Sequence, residues 1–149
     1  MRALPLGILA LTGSIAATLP VRAQDDVSTK RQIQRALSNI DKARCGEAMC
    51  AKATREEMTN PPLDTEAGSL VIRRAIISAT AEHCGLDWQK RNFLPMMAHW
   101  RSQKKSDRQL ALIGLLHGIV QGELGAGLAK RPCSDHVKRQ SETDLDFRP

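Results

Sequence analysis

Four histidines are the residues of this chain best suited to acid–base chemistry near neutral pH, and they are His83, His99, His117 and His136. His117 has the most unusual setting, because it lies in a long helical pattern between Gly114 and Gly118. At a narrow contact between helices, such an imidazole would act as a general base or as a ligand. The other interpretation is a buried imidazole that is hydrogen-bonded to a neighbouring carbonyl group, and we favour it. His117 is retained as the catalytic candidate of the sequence.

The segment from Trp88 to Trp100 concentrates aromatic and sulfur-containing side chains. Met96, Met97 and His99 offer thioether and imidazole ligands, which suit Cu(I). A core helix presents the same residue types, and methionine fills irregular gaps between helices, so core packing or a peptide-binding groove is preferred to a copper site. No metal and no other cofactor is predicted. We expect a protein-binding surface in this segment, drawn from Trp88, Phe93, Met96, Met97, His99 and Trp100.

Four cysteines are present, Cys45, Cys50, Cys84 and Cys133, and an even number in an exported chain indicates two disulfides. On one continuous helix the Cα atoms of Cys45 and Cys50 would be about 8–9 Å apart, which is too far for a bridge. Gly46, however, can end a helix in a left-handed cap and let the chain fold back. Of the three connectivities, we therefore predict Cys45–Cys50 with Cys84–Cys133. Zinc binding is disfavoured because no C-x-x-C spacing is present.

Local motifs of several enzyme classes are absent from the sequence. It contains no G-x-S-x-G nucleophile elbow, no H-E-x-x-H zinc site, no phosphate-binding glycine loop, no EF-hand loop and no haem-attachment motif. A hydrolase assembled in space from Glu82, Glu123 and His117 would leave no local motif. The sequence therefore favours a binding role over an enzymatic one and keeps a small hydrolase that uses His117 as an alternative.

Residues 1–23 have the pattern of a secretory signal peptide. Arg2 provides a positive start, an apolar segment runs from Leu4 to Leu19, and Val21-Arg22-Ala23 places small residues where a signal peptidase cleaves. This apolar segment is too short for a membrane span. The sequence therefore predicts a periplasmic or secreted protein without stable membrane insertion after cleavage.

The charge of the exported part is mild. Cleavage would remove two of the 22 basic residues and none of the 16 acidic ones, which leaves a net charge of +4. The remaining basic residues are scattered in pairs with no aromatic residues between them, and this pattern argues against nucleic-acid binding.

Five helices must position these residues, and the spacing of apolar side chains predicts them over residues 28–44, 47–58, 65–83, 87–102 and 107–129. Asp64 is the predicted cap of the third helix, and Ser106 with Gln109 forms a capping box for the fifth. Pro95 lies inside the fourth, so that helix either begins near Asn92 or kinks at the proline. No strand is predicted.

The fifth helix carries glycine at every fourth position, at Gly114, Gly118 and Gly122. Glycine costs a helix interior about 0.5–1 kcal/mol relative to alanine, so a stripe of three predicts a face where another backbone comes very close. Packing within the chain is preferred to a homodimer seam, and Gly118→Leu is expected to overpack it. The polar residues His117, Gln121 and Glu123 argue against a membrane-spanning helix.

These observations predict an all-α protein, a small bundle of four to five helices tied by disulfides after a cleaved signal peptide. The helical domain covers residues 24–130, and residues 131–149 form a polar tail that is only partly held, by Cys133. We expect it to bind an envelope protein as an adaptor, chaperone or modulator, through the Trp88 to Trp100 segment and the exposed side of the glycine helix. The alternatives are the hydrolase and a periplasmic copper-binding protein that uses Met96, Met97 and His99.

Overall fold

The computed structural model describes residues 21–149, with side chains from residue 25 onward, so the predicted signal peptide lies almost wholly outside the described residues. The all-α class and the helical bundle are confirmed. The described part contains six α-helices, α1 (Val21–Leu37), α2 (Arg55–Thr59), α3 (Thr65–His83), α4 (Leu94–Ser102), α5 (Asp107–Leu128) and α6 (Asp135–Asp144). Two short strands, β1 (Arg44–Cys45) and β2 (Ala48–Met49), form an antiparallel hairpin between α1 and α2.

The helices α3 and α5 form the central pair of the bundle, and α1 packs against both of them. Leucine, isoleucine and methionine side chains from α1, α4 and α5 meet in one apolar core. Each such side chain contributes roughly 1.5–3 kcal/mol when it is fully removed from water. The largest fully buried side chains of this core include Ile33, Leu37, Ile40, Leu63, Met96, Leu112, Ile113 and Leu116.

Local hydrogen bonds define the ends of the two central helices where the sequence places them. Asp64 accepts a hydrogen bond of 2.7 Å from the backbone N–H of Ala67 at the start of α3. Ser106 and Gln109 form the predicted capping box of α5. These side chains satisfy N–H groups that have no partner within the helix, and both capping predictions are confirmed.

The chain between α1 and α3 differs from its prediction. The first helix ends at Leu37 rather than at residue 44, because the side chains of Ser38 and Asn39 donate hydrogen bonds back to carbonyl groups of the last turn. The second predicted helix shrinks to α2, and the hairpin takes the place of its first part. Gly46 lies in the two-residue turn of that hairpin with φ of +66°, which is a left-handed conformation that glycine adopts without strain.

Both predicted disulfides are present. Cys45 and Cys50 are bridged across the hairpin with a Cα–Cα distance of 5.0 Å, and Cys84 and Cys133 are bridged with a Cα–Cα distance of 5.3 Å. The first bridge closes a short local loop. The second joins the end of α3 to the chain just before α6, so it links two segments that are 49 residues apart.

The prediction that the polar tail is only partly held, by Cys133, is wrong. Residues Asp135–Asp144 form α6, which Ser134 caps by accepting from the backbone N–H of Val137. Beyond the helix, Leu145 is fully buried, and Phe147 packs against the core. We refer to residues 134–147 as the α6 strap, because this segment lies across α3 and contacts the turn that precedes α4. The sequence pattern did not predict this helix because its apolar residues are few and widely spaced.

Candidate functional site

Four polar side chains meet in the interior between α3, α5 and the turn before α4. They are Arg74, Ser78, Asn92 and His117, and none of them is more than 7% exposed. We call this group the buried polar cluster. Buried polar side chains are costly unless they are hydrogen-bonded, so their partners determine what the cluster can do.

Asn92 is the central member of the cluster. Its side-chain amide donates to the carbonyl oxygen of Arg74 and to Oγ of Ser78, both at 2.7 Å, while its Oδ1 accepts from Nε of Arg74 at 2.5 Å. Oγ of Ser78 in turn lies 3.1 Å from Nε2 of His117. Both the NH2 group and the oxygen of the Asn92 amide are therefore hydrogen-bonded, and the amide fixes the orientation of Arg74 and Ser78.

His117 occupies an apolar and positively charged environment. Its ring is 1% exposed, stacks 6.1 Å from the ring of Trp88 and lies 4.9 Å from the ring of Phe93. Burial and the nearby Arg74 guanidinium lower the pKa of His117 to about 4, although a hydrogen bond to the Arg74 carbonyl opposes this shift. The imidazole is therefore neutral at pH 7, which agrees with the favoured interpretation of a buried, hydrogen-bonded histidine.

The contact between Ser78 and His117 resembles a nucleophile and its general base in distance alone. Catalytic pairs of this kind lie within hydrogen-bonding reach, and the base is oriented by a third group and has a pKa near the working pH. Here the third group is the cationic Arg74 rather than a carboxylate, and the lowered pKa makes the imidazole a poor base. Ser78 is also fully buried, so a substrate has no access to its hydroxyl in this conformation.

The turn that carries Asn92 has a π-helical backbone over Gln89–Phe93. Such turns insert a residue into a helix and are frequent where a side chain must be placed for a purpose. Pro95 lies two residues beyond the end of this turn and has no N–H group, so it cannot donate to the carbonyl oxygen of Arg91 as an α-helical residue would. That free acceptor receives the backbone N–H of Phe147 at 3.0 Å. The proline therefore creates a docking point for the α6 strap.

Two arginines fasten the α6 strap to the bundle. The guanidinium of Arg74 donates to the carbonyl oxygens of Asp144 at 3.2 Å and of Leu145 at 2.6 Å. On the surface, Arg91 forms a two-point ion pair with Asp146, with distances of 2.7 and 3.1 Å. Because Arg74 also bonds to Asn92, the strap and the buried polar cluster share one side chain.

The predicted binding surface is only partly at the surface. Met96, Met97 and Trp100 are no more than 7% exposed and belong to the core, so their assignment to a binding surface is wrong for this conformation. Trp88 and Phe93 are half-buried beside His117, and His99 is half-buried between the rings of Trp100 and Phe147, at 5.0 and 5.5 Å. A copper ion would have to enter this packed core to reach both methionines, and no group of three histidine, cysteine, aspartate or glutamate residues suited to a metal occurs among the described residues.

The glycine face of α5, formed by Gly114, Gly118 and Gly122, is not a packing seam with any other described segment of the chain. A Cβ atom placed on any of the three glycines would meet nothing within 4 Å, and Gly118 and Gly122 are exposed. The prediction of a close approach inside the bundle is therefore wrong. The small residues that let helices approach are on α3 instead, where a Cβ on Gly68 would lie 2.6 Å from Cδ1 of Ile33.

The helix α5 is apolar beyond what its packing requires. It is the one helix in residues 21–149 that is long and apolar enough to cross a membrane by length and composition, with a mean hydropathy of 1.3, yet only 28% of that window is buried. Core helices of soluble proteins meet the same criterion, so this is weak support for spanning. The sequence from Gln109 to Ala129 contains a single charged residue, Glu123, which is ion-paired with Arg35 of α1.

Comparison of the chain with protein-family models, with curated proteins and with solved structures found no match.

Proposed function

We propose that this protein is exported and acts by binding a protein partner in the cell envelope, through the glycine face of α5. One observation carries the proposal: on a long apolar helix, a Cβ atom on any of three regularly spaced glycines would meet nothing within 4 Å in the described part of the chain. The Trp88 to Trp100 segment drops out of the proposed contact surface because half of its predicted residues lie in the core.

The energetic argument rests on what these glycines cost. Each one destabilises the interior of a helix by about 0.5–1 kcal/mol relative to alanine. All three have φ in the ordinary helical range, and a Cβ atom on them would have room. Within the described chain, nothing compensates for the cost. A second helix packed against this face would compensate for that cost, because glycine spacing of this kind allows two helix backbones to approach closely.

Export is supported by the cysteines. All four are paired in two disulfides, and such bonds persist in oxidising compartments such as the periplasm and the extracellular space. The partner is therefore expected to be an envelope or secreted protein, for which the chain serves as an adaptor, chaperone or modulator.

Site-specific photo-crosslinking in the producing cells tests the proposal. A photoreactive residue at the exposed Ala126, one helical turn beyond Gly122, is expected to give a discrete protein adduct. The same residue at the exposed Ala98 on α4 is the matched control and should give none. Adding Gly118→Leu to the protein labelled at position 126 should abolish the adduct without unfolding the protein, because the leucine projects into open space.

The absence of an adduct at position 126, or an adduct that survives Gly118→Leu, would refute the use of this face. An adduct with the mass of two copies of this chain would identify the partner as a second copy. Neither the hydrolase nor the copper alternative is favoured by a structural observation, since His117 of the first and both methionines of the second, Met96 and Met97, are buried.

A further inference from the structure

The α6 strap and the buried polar cluster are mechanically connected through Arg74. This arginine accounts for two of the hydrogen bonds that hold the strap, and its third bond goes to Asn92 inside the cluster. His117 is the titratable residue of the same cluster, and it is neutral at pH 7. Any change in the charge of His117 therefore acts on the side chain that fastens the strap.

We propose that the α6 strap is an acid-sensitive cover, which separates from α3 when His117 takes up a proton while the rest of the bundle stays folded. This inference concerns a different part of the molecule from the glycine face and does not depend on the proposed function.

Protonation places two positive charges in one buried site. Arg74 is the charged group of α3 that faces the imidazole, and the π-helical turn contributes Asn92, Trp88 and Phe93, none of which is charged. On the far side of Arg74, the strap contributes Asp144 and Asp146, whose carboxylates attract the guanidinium. Repulsion from His117 and attraction to these acids both favour movement of the guanidinium outward.

Arg74 is the member of the cluster that can move at least cost to the core. His117 belongs to the central helix pair, and its ring is held between two aromatic rings. The arginine side chain is long and flexible, and outward rotation would hydrate its charge. That rotation breaks the bonds to the carbonyl groups of Asp144 and Leu145, which leaves the apolar contacts of Leu145 and Phe147 and the backbone bond from Phe147 to Arg91 as the inner attachments of the strap.

The remaining attachments define how far the strap can travel. The pair of Arg91 and Asp146 is exposed, and exposed ion pairs contribute little by themselves. The Cys84–Cys133 disulfide is covalent and keeps the start of the strap at the end of α3. The strap would therefore swing about Cys133, and it would widen the groove between α3 and α6, which has a volume of about 280 Å³ and is lined by Ile76, Ile77 and Val137 among others.

Amide hydrogen exchange on the full oxidised chain tests the inference. Exchange is followed at pH 7 and at pH 4.5, with rates corrected for the intrinsic effect of pH, in residues 135–147 and in α5. Since burial lowers the pKa of His117 from 6.5 to about 4, and full hydration of the ring in the open state would restore it, the opening equilibrium of the strap should rise between pH 7 and pH 4.5 by up to about 60-fold. Amides of α5 should keep their protection.

A neutral replacement separates His117 from other acid-sensitive groups. In His117→Gln the strap should show the same corrected exchange at both pH values. His136→Gln is the matched control, because His136 is an exposed histidine on the strap itself, and this variant should open as the unmodified chain does. If His117→Gln does not fold, the imidazole of the unmodified chain is titrated by NMR, and its midpoint must coincide with that of strap opening.

Three results would overturn the inference. The first is full protection of the strap amides at pH 4.5. The second is a loss of protection in the α5 amides in parallel with the strap, and the third is a pH midpoint of strap opening that differs from the midpoint of His117 titration. The second result would mean that acid unfolds the whole bundle rather than releasing one segment.

Discussion

Two basic side chains, Arg74 and His117, are buried next to each other in this protein. The arrangement is tolerated because only one of them is charged at neutral pH, and that one is surrounded by oxygen acceptors. A buried charge without such partners would cost several kcal/mol. Asn92 is therefore the residue on which the local balance depends, since it accepts from Arg74 and also donates to Ser78.

Replacement of Asn92 should be strongly destabilising. We expect Asn92→Ala to lower the free energy of unfolding by about 3 kcal/mol, because it leaves Nε of Arg74 without an acceptor and creates a small cavity. Asn60→Ala, at an exposed position that bonds to Glu56, should change it by less than about 0.5 kcal/mol. Urea unfolding at pH 7 measures the free energy of unfolding of both variants. Equal changes in the two variants would show that the buried polar cluster adds nothing to stability.

At this scale the sequence allowed His117 to be identified as a buried, hydrogen-bonded histidine, but not its partners. Arg74 and Ser78 are one turn apart on α3 and lie among buried small residues such as Val71 and Ala75. Polar residues at these spacings are ordinarily assigned to the outer face of a helix. The small apolar residues around Arg74 and Ser78 could have indicated that these two side chains are buried. Nothing in the spacing could show that Asn92, 14 residues beyond Ser78, completes the buried polar cluster.

The elements differ in how closely their helices approach. On α3, Gly68 faces Ile33 and Thr29 of α1, and a Cβ atom there would be 2.6 to 3.0 Å from their side chains. On α5, a Cβ atom on any glycine of the glycine face would meet no atom of another segment of residues 21–149 within 4 Å. The same residue type therefore serves packing on one helix and leaves an open surface on another.

Alanine substitutions should separate these two uses. Gly118→Ala should raise the free energy of unfolding by about 0.5–1 kcal/mol, as expected for an exposed helix interior. Gly68→Ala should lower it by about 1 kcal/mol, because an overpacking cost of typically 1–3 kcal/mol exceeds the same gain. Chemical unfolding of the two oxidised variants provides the measurement. Destabilisation by Gly118→Ala would mean that the glycine face is already occupied, for example by a second copy.

Elements with strong local determinants were predicted well. The caps at Asp64 and Ser106 define α3 and α5 through bonds within one helical turn. The hairpin at Gly46 and the π-helical turn before Pro95 were not predicted. Their backbones depend on a disulfide and on contacts with a distant segment, and neither leaves a periodic pattern in the sequence.

At the scale of the whole molecule, the two disulfides do different work. The Cys45–Cys50 bridge closes a loop between residues five positions apart, whereas the Cys84–Cys133 bridge spans 49 positions and holds the α6 strap to the bundle. The pairing was predictable because a local bridge needs only a reversal of the chain at Gly46 and leaves one other pair. The docking of Leu145 and Phe147 was not, since it depends on acceptors that exist only once the bundle has formed.

Removal of the two bridges should have unequal effects. Chain entropy predicts a loss of about 4 kcal/mol for the double variant Cys84→Ser with Cys133→Ser, and of about 2 kcal/mol for Cys45→Ser with Cys50→Ser. Urea unfolding of the two double variants gives the comparison. A larger loss from the hairpin pair would indicate that the hairpin, rather than the strap, organises the fold.

The late position of Leu145 has a consequence for the order of events after synthesis begins. A ribosome releases the chain from its amino end, so this buried leucine emerges after every other residue of the interior. Until it arrives, Arg74 has no carbonyl groups from the strap to bind. The attachment of the strap to Arg74 can therefore form only when synthesis of the chain is almost complete.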